Sequence, residues 1–89
     1  MKIKLELFGA SRDFSKKNYL EFNIKGQLEI KDFRKEIINY LDKNFKGNES
    51  FIKIVKNSVF CSEDNNIIND DFKIIRDQKI AIIPPIGGG

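Results

Sequence analysis

The sequence predicts an α+β fold in which a mixed sheet of four to five strands is covered on one face by one main helix. Three observations predict it. Charged and apolar residues alternate with period two from Lys2 to Phe8 and again from Tyr19 to Lys25. From Ile30 to Phe45 the apolar period becomes that of a helix, and an unbroken apolar run, Ile80 to Ile83, stops at two prolines. With 89 residues these elements can share one modest core, and a second domain does not fit.

In chain order, the first strand turns Ile3, Leu5 and Leu7 to the core. The segment from Gly9 to Asp13 breaks the alternation, and Phe14 is expected to fold back onto the core from that loop. The second strand presents Leu20, Phe22 and Ile24 on one face and pairs with the first as an antiparallel hairpin, closed by Gly26-Gln27. The helix carries Ile30, Phe33, Ile37, Leu41 and Phe45 on its inner stripe, widened by Ile38. Its polar face carries Lys31, Arg34, Lys35, Asn39, Asp42 and Lys43, and Gly47 is placed for a left-handed C-cap. No Ser, Thr, Asp or Asn stands immediately before Ile30, so Glu29 and Asp32 offer the helix start only charge.

Phe51 to Lys56 reads as a third strand, followed by a turn at Asn57-Ser58 and a short strand Val59 to Cys61. Ser62 to Asp71 reads as a loop with a short helical turn. Phe72 to Ile75 reads as a short strand or an apolar plug, Arg76 to Lys79 as a turn, and Ile80 to Ile83 as a buried central strand. The order ββαβ(β)β with one helix packs as a sheet whose last strand lies parallel to the first after a right-handed crossover. That is the β-grasp arrangement, with residues 1–83 as the folded domain and 84–89 as a flexible C-terminal diglycine tail.

Composition narrows the function. Hydrophobic residues make up 40% and charged residues 33%, as in a soluble globular domain. The formal charge of +3 comes from lysines spread along the chain, without a run of five basic residues or a cluster of basic and aromatic side chains, so no nucleic-acid partner is expected. The chain has no histidine, which removes most nucleophilic triads, most zinc sites and the usual general base, so it is not expected to be catalytic alone. The single cysteine, Cys61, cannot form an internal disulfide and reads as a small buried apolar residue. Ser62-Glu63-Asp64 and Asn69-Asp70-Asp71 lack the ligand spacing of a calcium loop, so no metal is expected. With no secretory signal and no long apolar span, neither export nor a membrane is expected, and the cytoplasm is.

The last six residues, Pro84-Pro85-Ile86-Gly87-Gly88-Gly89, have the make-up of a working part. The diproline ends the preceding strand and launches the chain outward, and glycines can pass through a channel too narrow for side chains. A bare carboxylate arrives at the far end.

Together with Lys4-Leu5-Glu6-Leu7-Phe8-Gly9-Ala10-Ser11-Arg12-Asp13-Phe14, Val55-Lys56-Asn57 and the acidic turn at Asp77, the ending Ile82-Ile83-Pro84-Pro85-Ile86-Gly87-Gly88-Gly89 resembles the MoaD/ThiS family of ubiquitin-like sulfur carriers. Within that family it is most similar to the MoaD-type small subunit of molybdopterin synthase. Gly87 departs from the small hydroxyl residue or alanine common there, and the stretch from Cys61 to Arg76 is longer than usual. The resemblance implies that Gly89, reached through Gly88, is adenylated with Mg-ATP by a MoeB-type activating enzyme and converted to a thiocarboxylate with sulfur from a persulfide donor. It further implies delivery of that sulfur into a MoaE-type large subunit, in a heterotetramer, where two transfers build the molybdopterin dithiolene. Phe8, Arg12 and Ile83 then match partner-binding positions, continued by Pro84, Pro85, Ile86 and Gly87, and the chain itself binds no cofactor. A thiamin-type sulfur carrier and a ubiquitin-like modifier conjugated through Gly89 would use the same activation step.

Overall fold

The computed structural model describes residues 1–86. The two alternating segments form β1 (Lys2–Leu7) and β2 (Tyr19–Asn23), antiparallel, with Leu5 opposite Leu20. The final apolar run forms β7 (Gln78–Ile83), which lies parallel to β1 with Leu5 opposite Ile80. It begins two residues earlier than expected, because Gln78 and Lys79 pair with Ile3 and Lys4. On the other side β7 pairs antiparallel with β4 (Val59–Cys61), which pairs with β5 (Ile67–Ile68), giving the sheet order β2-β1-β7-β4-β5.

The helix α1 spans Ile30–Phe45 and buries Ile30, Phe33, Ile37 and Leu41 completely. Its start is made by tertiary contacts. The Ile30 and Lys31 amides, which have no partner inside a helix, donate to the carbonyls of Phe72 and Asp70 at 3.0 Å each. The Asp32 carboxylate accepts from the Glu29 amide at 3.3 Å. The long 62–76 stretch therefore serves as the N-terminal cap of α1. Exposed Lys31 pairs with Glu29 at 3.0 Å, and that hydrogen bond and charge raise its pKa above the ordinary 10.5. At the other end both Lys46 (φ 53) and Gly47 (φ 69) are left-handed, so the cap spans two residues.

The expected third strand at Phe51 to Lys56 is instead a second helix, α2 (Glu49–Asn57). Asn48 caps it, its side-chain oxygen accepting from the Phe51 amide at 3.1 Å. Val55 then turns fully into the core and Phe51 meets Phe14 and Phe45 at ring distances of 5.1 and 5.0 Å. Burial at helical spacing overrides the strand propensity of Ile52, Ile54 and Val55. The expected loop at Ser62 to Asp71 contains β5. Lys73–Ile74 forms β6, which pairs with the unforeseen β3 (Leu28–Glu29) as a second, two-stranded sheet.

Phe14 reaches the core from a 3₁₀ helix at Gly9–Phe14, as expected, and the Tyr40 hydroxyl donates to its carbonyl at 3.0 Å. Arg34, expected on the polar face of α1, instead lies over the Phe60 ring at 4.8 Å. Its guanidinium donates to the carbonyls of Val55 (2.6 Å) and Ser58 (2.8 Å) and to the Asp70 carboxylate (2.7 Å). One cation thus ties the end of α2 and the root of β4 to the loop that caps α1. Among the described residues no buried side-chain nitrogen or oxygen lacks a hydrogen-bond partner.

Candidate partner-binding site

Strand alternation fixes two faces of the five-stranded sheet. Ile3, Leu5, Leu7, Ile80, Ile82 and Phe60 face α1 and are buried, so Lys4, Glu6, Lys79, Ala81, Ile83, Val59 and Cys61 lie on the outer face. That face is divided. Along β1, as far as Glu6 beside Ala81, and at the start of β7 it is charged and internally paired: Lys79 meets Glu6 at 3.6 Å, and the Lys4 ammonium sits 4.4 Å from the Tyr19 ring centre.

Toward the end of β7 and along β4 it is apolar and half-exposed. Ile83 stands opposite Val59, and Ala81 opposite Cys61. Phe8 follows Leu7, whose partner is Ile82, so the alternation carries Phe8 to the same side as Ile83. Phe8 is 39% exposed and Val59 44%. Phe8 is also the one phenylalanine of the eight left exposed; six others join Tyr40 in a chain of ring contacts through the core. Phe8 is thus an aromatic ring left outside a continuous core, beside Ile83 and Val59.

The chain leaves the body from the same edge. Ile83 ends β7 and Pro84 follows, packed over Gly9, where an added Cβ would stand 3.8 Å from the Pro84 ring. That is ordinary van der Waals contact; glycine is favoured here by its φ of 55, a backbone conformation that other residues adopt at a cost. Pro84 and Pro85 form one wall of a groove of about 340 Å³ with Ala10, Ser50, Lys53, Ile54 and Asn57. α2 supplies most of that groove. Ile86 is 100% exposed, consistent with a tail that heads outward.

Of the residues singled out in the sequence, Phe8, Ile83, Pro84, Pro85 and Ile86 are brought together at this edge. Arg12 is exposed but lines a different, larger groove with Lys16, Lys17, Tyr19 and Tyr40. Gly87, Gly88 and Gly89 lie outside the described residues. Cys61, expected to be buried, is half-buried on the outer face because it shares a side of β4 with Val59. Sequence reasoning passed over Val59. The pairing of a three-residue strand with the end of β7 is what exposes it, and the alternation Val59-Phe60-Cys61 was the available signal.

No known family profile matches the sequence, and no curated protein is significantly similar to it. Among solved structures, the chain is similar to SAMP1 from Haloferax volcanii, with a TM-score of 0.69 and 12% identity over 100% of both chains. It is also similar to a protein described as molybdopterin converting factor, subunit 1, from Pyrococcus furiosus, with a TM-score of 0.70 and 16% identity over 96% of this chain and 98% of that one.

The fold is the ubiquitin-like β-grasp.

At these identities the likeness speaks for the fold, and the sheet order with α1 across one face agrees with it. The expected resemblance to MoaD-type proteins is matched at this structural level by the second neighbour. Among the described residues no helix is long and apolar enough to cross a membrane, and no cluster of Cys, Asp and Glu is arranged to hold a metal ion.

Proposed function

We propose that this β-grasp protein is a sulfur carrier that works through its C-terminus as the small subunit of a molybdopterin synthase. The observation that carries the reading is the shared edge: the root of a diglycine tail, Ile83-Pro84-Pro85-Ile86, leaves the body beside the uncovered apolar patch of Phe8, Ile83 and Val59. A partner that swallows the tail thereby meets an apolar landing surface at its entrance. The likeness to a protein described as molybdopterin converting factor, subunit 1, supports the same reading.

The chemistry follows from the terminus. A carboxylate is a poor electrophile, so the Gly89 carboxylate first attacks the α-phosphorus of Mg-ATP, releasing pyrophosphate and forming an acyl adenylate on an activating enzyme. The terminal sulfur of a persulfide then displaces AMP, and a thiol reductively frees the thiocarboxylate. That sulfur is a good nucleophile at neutral pH. The tail carries it into the large subunit, whose pocket supplies the acid, base and anion-binding groups, and holding it there converts a bimolecular attack on the pterin precursor into a positioned one. This chain contributes a reactive end and a docking face.

The test is reconstitution with an activating enzyme, Mg-ATP and a persulfide donor. The full-length chain is expected to release AMP and gain a C-terminal thiocarboxylate, and a chain lacking Gly88-Gly89 is expected to do neither. Failure of the full-length chain to form an adenylate contradicts the reading.

A further inference from the structure

We infer that the free edge of β2 and the groove beside it take an extended segment of another protein, which adds to the sheet as a further strand and carries acidic residues after its apolar ones. The site lies apart from the tail and does not depend on the sulfur-carrier reading. β2 stands at the end of the sheet order β2-β1-β7-β4-β5. With five residues it is the longest open edge among the described residues, since β3, β5 and β6 have two each.

The register says which backbone groups are free. The Ile24 amide donates to the Met1 carbonyl at 2.8 Å and the Leu7 amide to the Asn18 carbonyl at 2.9 Å, with Leu5 opposite Leu20 between them. Bonded residues alternate along an antiparallel pair. Asn18, Leu20, Phe22 and Ile24 therefore turn their backbones to β1, while Tyr19, Glu21 and Asn23 aim amide and carbonyl outward. Among the described residues no other backbone group bonds them, and β2 has neither proline nor bulge to blunt the edge. Donors and acceptors repeating every second residue match an extended chain.

The groove beside that edge, about 700 Å³, is lined in part by Leu20, Tyr40 and Phe45. Tyr40 and Phe45 are half-buried and meet edge-on at 6.3 Å, and Tyr40 meets Phe22 at 6.1 Å. Side chains alternate in an added strand, so every second one enters this aromatic cleft between β2 and α1. The segment leading into β2 sets the charge. It brings Arg12, Lys16 and Lys17 to the groove against one acid, Asp13, and among the described residues all four are exposed and outside any ion pair. The Lys17 ammonium lies 5.5 Å from the Tyr19 ring centre, which puts positive charge at the start of β2. An antiparallel partner meets it with its C-terminal end, where acids are favoured. A second copy of this chain fits badly, because two β2 edges paired in full register set Glu21 against Glu21.

The test is an NMR titration of the isotope-labelled full-length chain with the blocked peptide Thr-Val-Thr-Ile-Thr-Asp-Asp. In antiparallel register its Val and Ile stand opposite Phe22 and Leu20, its threonines opposite Asn23, Glu21 and Tyr19, and its acids beside Asn18 and Lys17. Saturable shifts and slowed hydrogen exchange are expected at the amides of Tyr19, Glu21 and Asn23, and equally in a chain lacking Gly88-Gly89. Lys16→Glu combined with Lys17→Glu is expected to weaken binding about tenfold. Glu21→Pro, which removes one outward amide and none that serves β1, is expected to abolish binding while the spectrum stays that of a folded chain. No saturable change at those three amides with millimolar peptide overturns the inference and leaves the carrier reading standing. Equal binding of a peptide ending in Lys-Lys overturns the acidic partner, and dimerisation of the free chain through β2, read by light scattering and lost in Glu21→Pro, overturns the choice of another protein.

Discussion

The hydroxyl of Ser11 holds the backbone of Phe8 at both ends: it accepts from the Phe8 amide at 3.0 Å and donates to the Phe8 carbonyl at 2.7 Å. Ser11 is fully buried, whereas the Phe8 ring it steadies is exposed beside the tail root. A buried polar group thus fixes the orientation of a surface aromatic. Ser11→Ala leaves the Phe8 amide without its side-chain acceptor and is expected to cost about 1–3 kcal/mol. In a domain of this size that lowers the thermal midpoint by about 4–8 °C per kcal/mol, read by calorimetry. A midpoint equal to wild type contradicts the assigned role.

Arg34 and Asp70 form an ion pair whose two ends are unequal. The guanidinium also serves two backbone carbonyls and the Phe60 ring, while Asp70 is largely exposed. Arg34→Ala is therefore expected to destabilise by about 2–4 kcal/mol, since it strips charge-assisted bonds from buried carbonyls. Asp70→Asn removes only a solvent-screened pair and is expected to cost less than about 1 kcal/mol. Chemical denaturation of both variants checks the order, and equal losses contradict it.

Phe33 is fully buried and meets Phe22 edge-on at 5.4 Å and Phe60 at 6.3 Å. Phe33→Ala is expected to destabilise by about 3–5 kcal/mol through lost burial and an unfilled cavity. Denaturant titration reads this directly.

The legible parts of this fold were those with a long period. α1 was readable from Ile30 to Phe45 because its stripe runs for sixteen residues, and β1, β2 and β7 because each alternates or runs apolar up to a turn or the diproline. α2 was not, because Phe51-Ile52-Lys53-Ile54-Val55 is rich in strand formers and its helix depends on the Asn48 cap and on Phe51 reaching Phe14 and Phe45. Two-residue strands such as β3, β5 and β6 exist only as pairings and carry no period of their own. Of the residues at the apolar edge beside the tail root, Phe8 and Ile83 were visible through the resemblance, whereas Val59 became a surface residue only once β4 was paired with β7.

Gly88→Ile is expected to leave the thermal midpoint unchanged, because the chain already leaves the body at fully exposed Ile86. The same substitution is expected to abolish thiocarboxylate formation or its use by the large subunit, since a branched side chain blocks a passage sized for glycine. Normal sulfur transfer by this variant contradicts a threaded tail.

Whether sulfur is carried on the C-terminus is read from the intact mass of the protein purified from its own cells, with fragmentation of the last residues. A population in which one carboxylate oxygen of Gly89 is replaced by sulfur is expected. A protein whose Gly89 is found joined to lysines of other proteins, with no thiocarboxylate even after incubation with activating enzyme, Mg-ATP and persulfide donor, contradicts it.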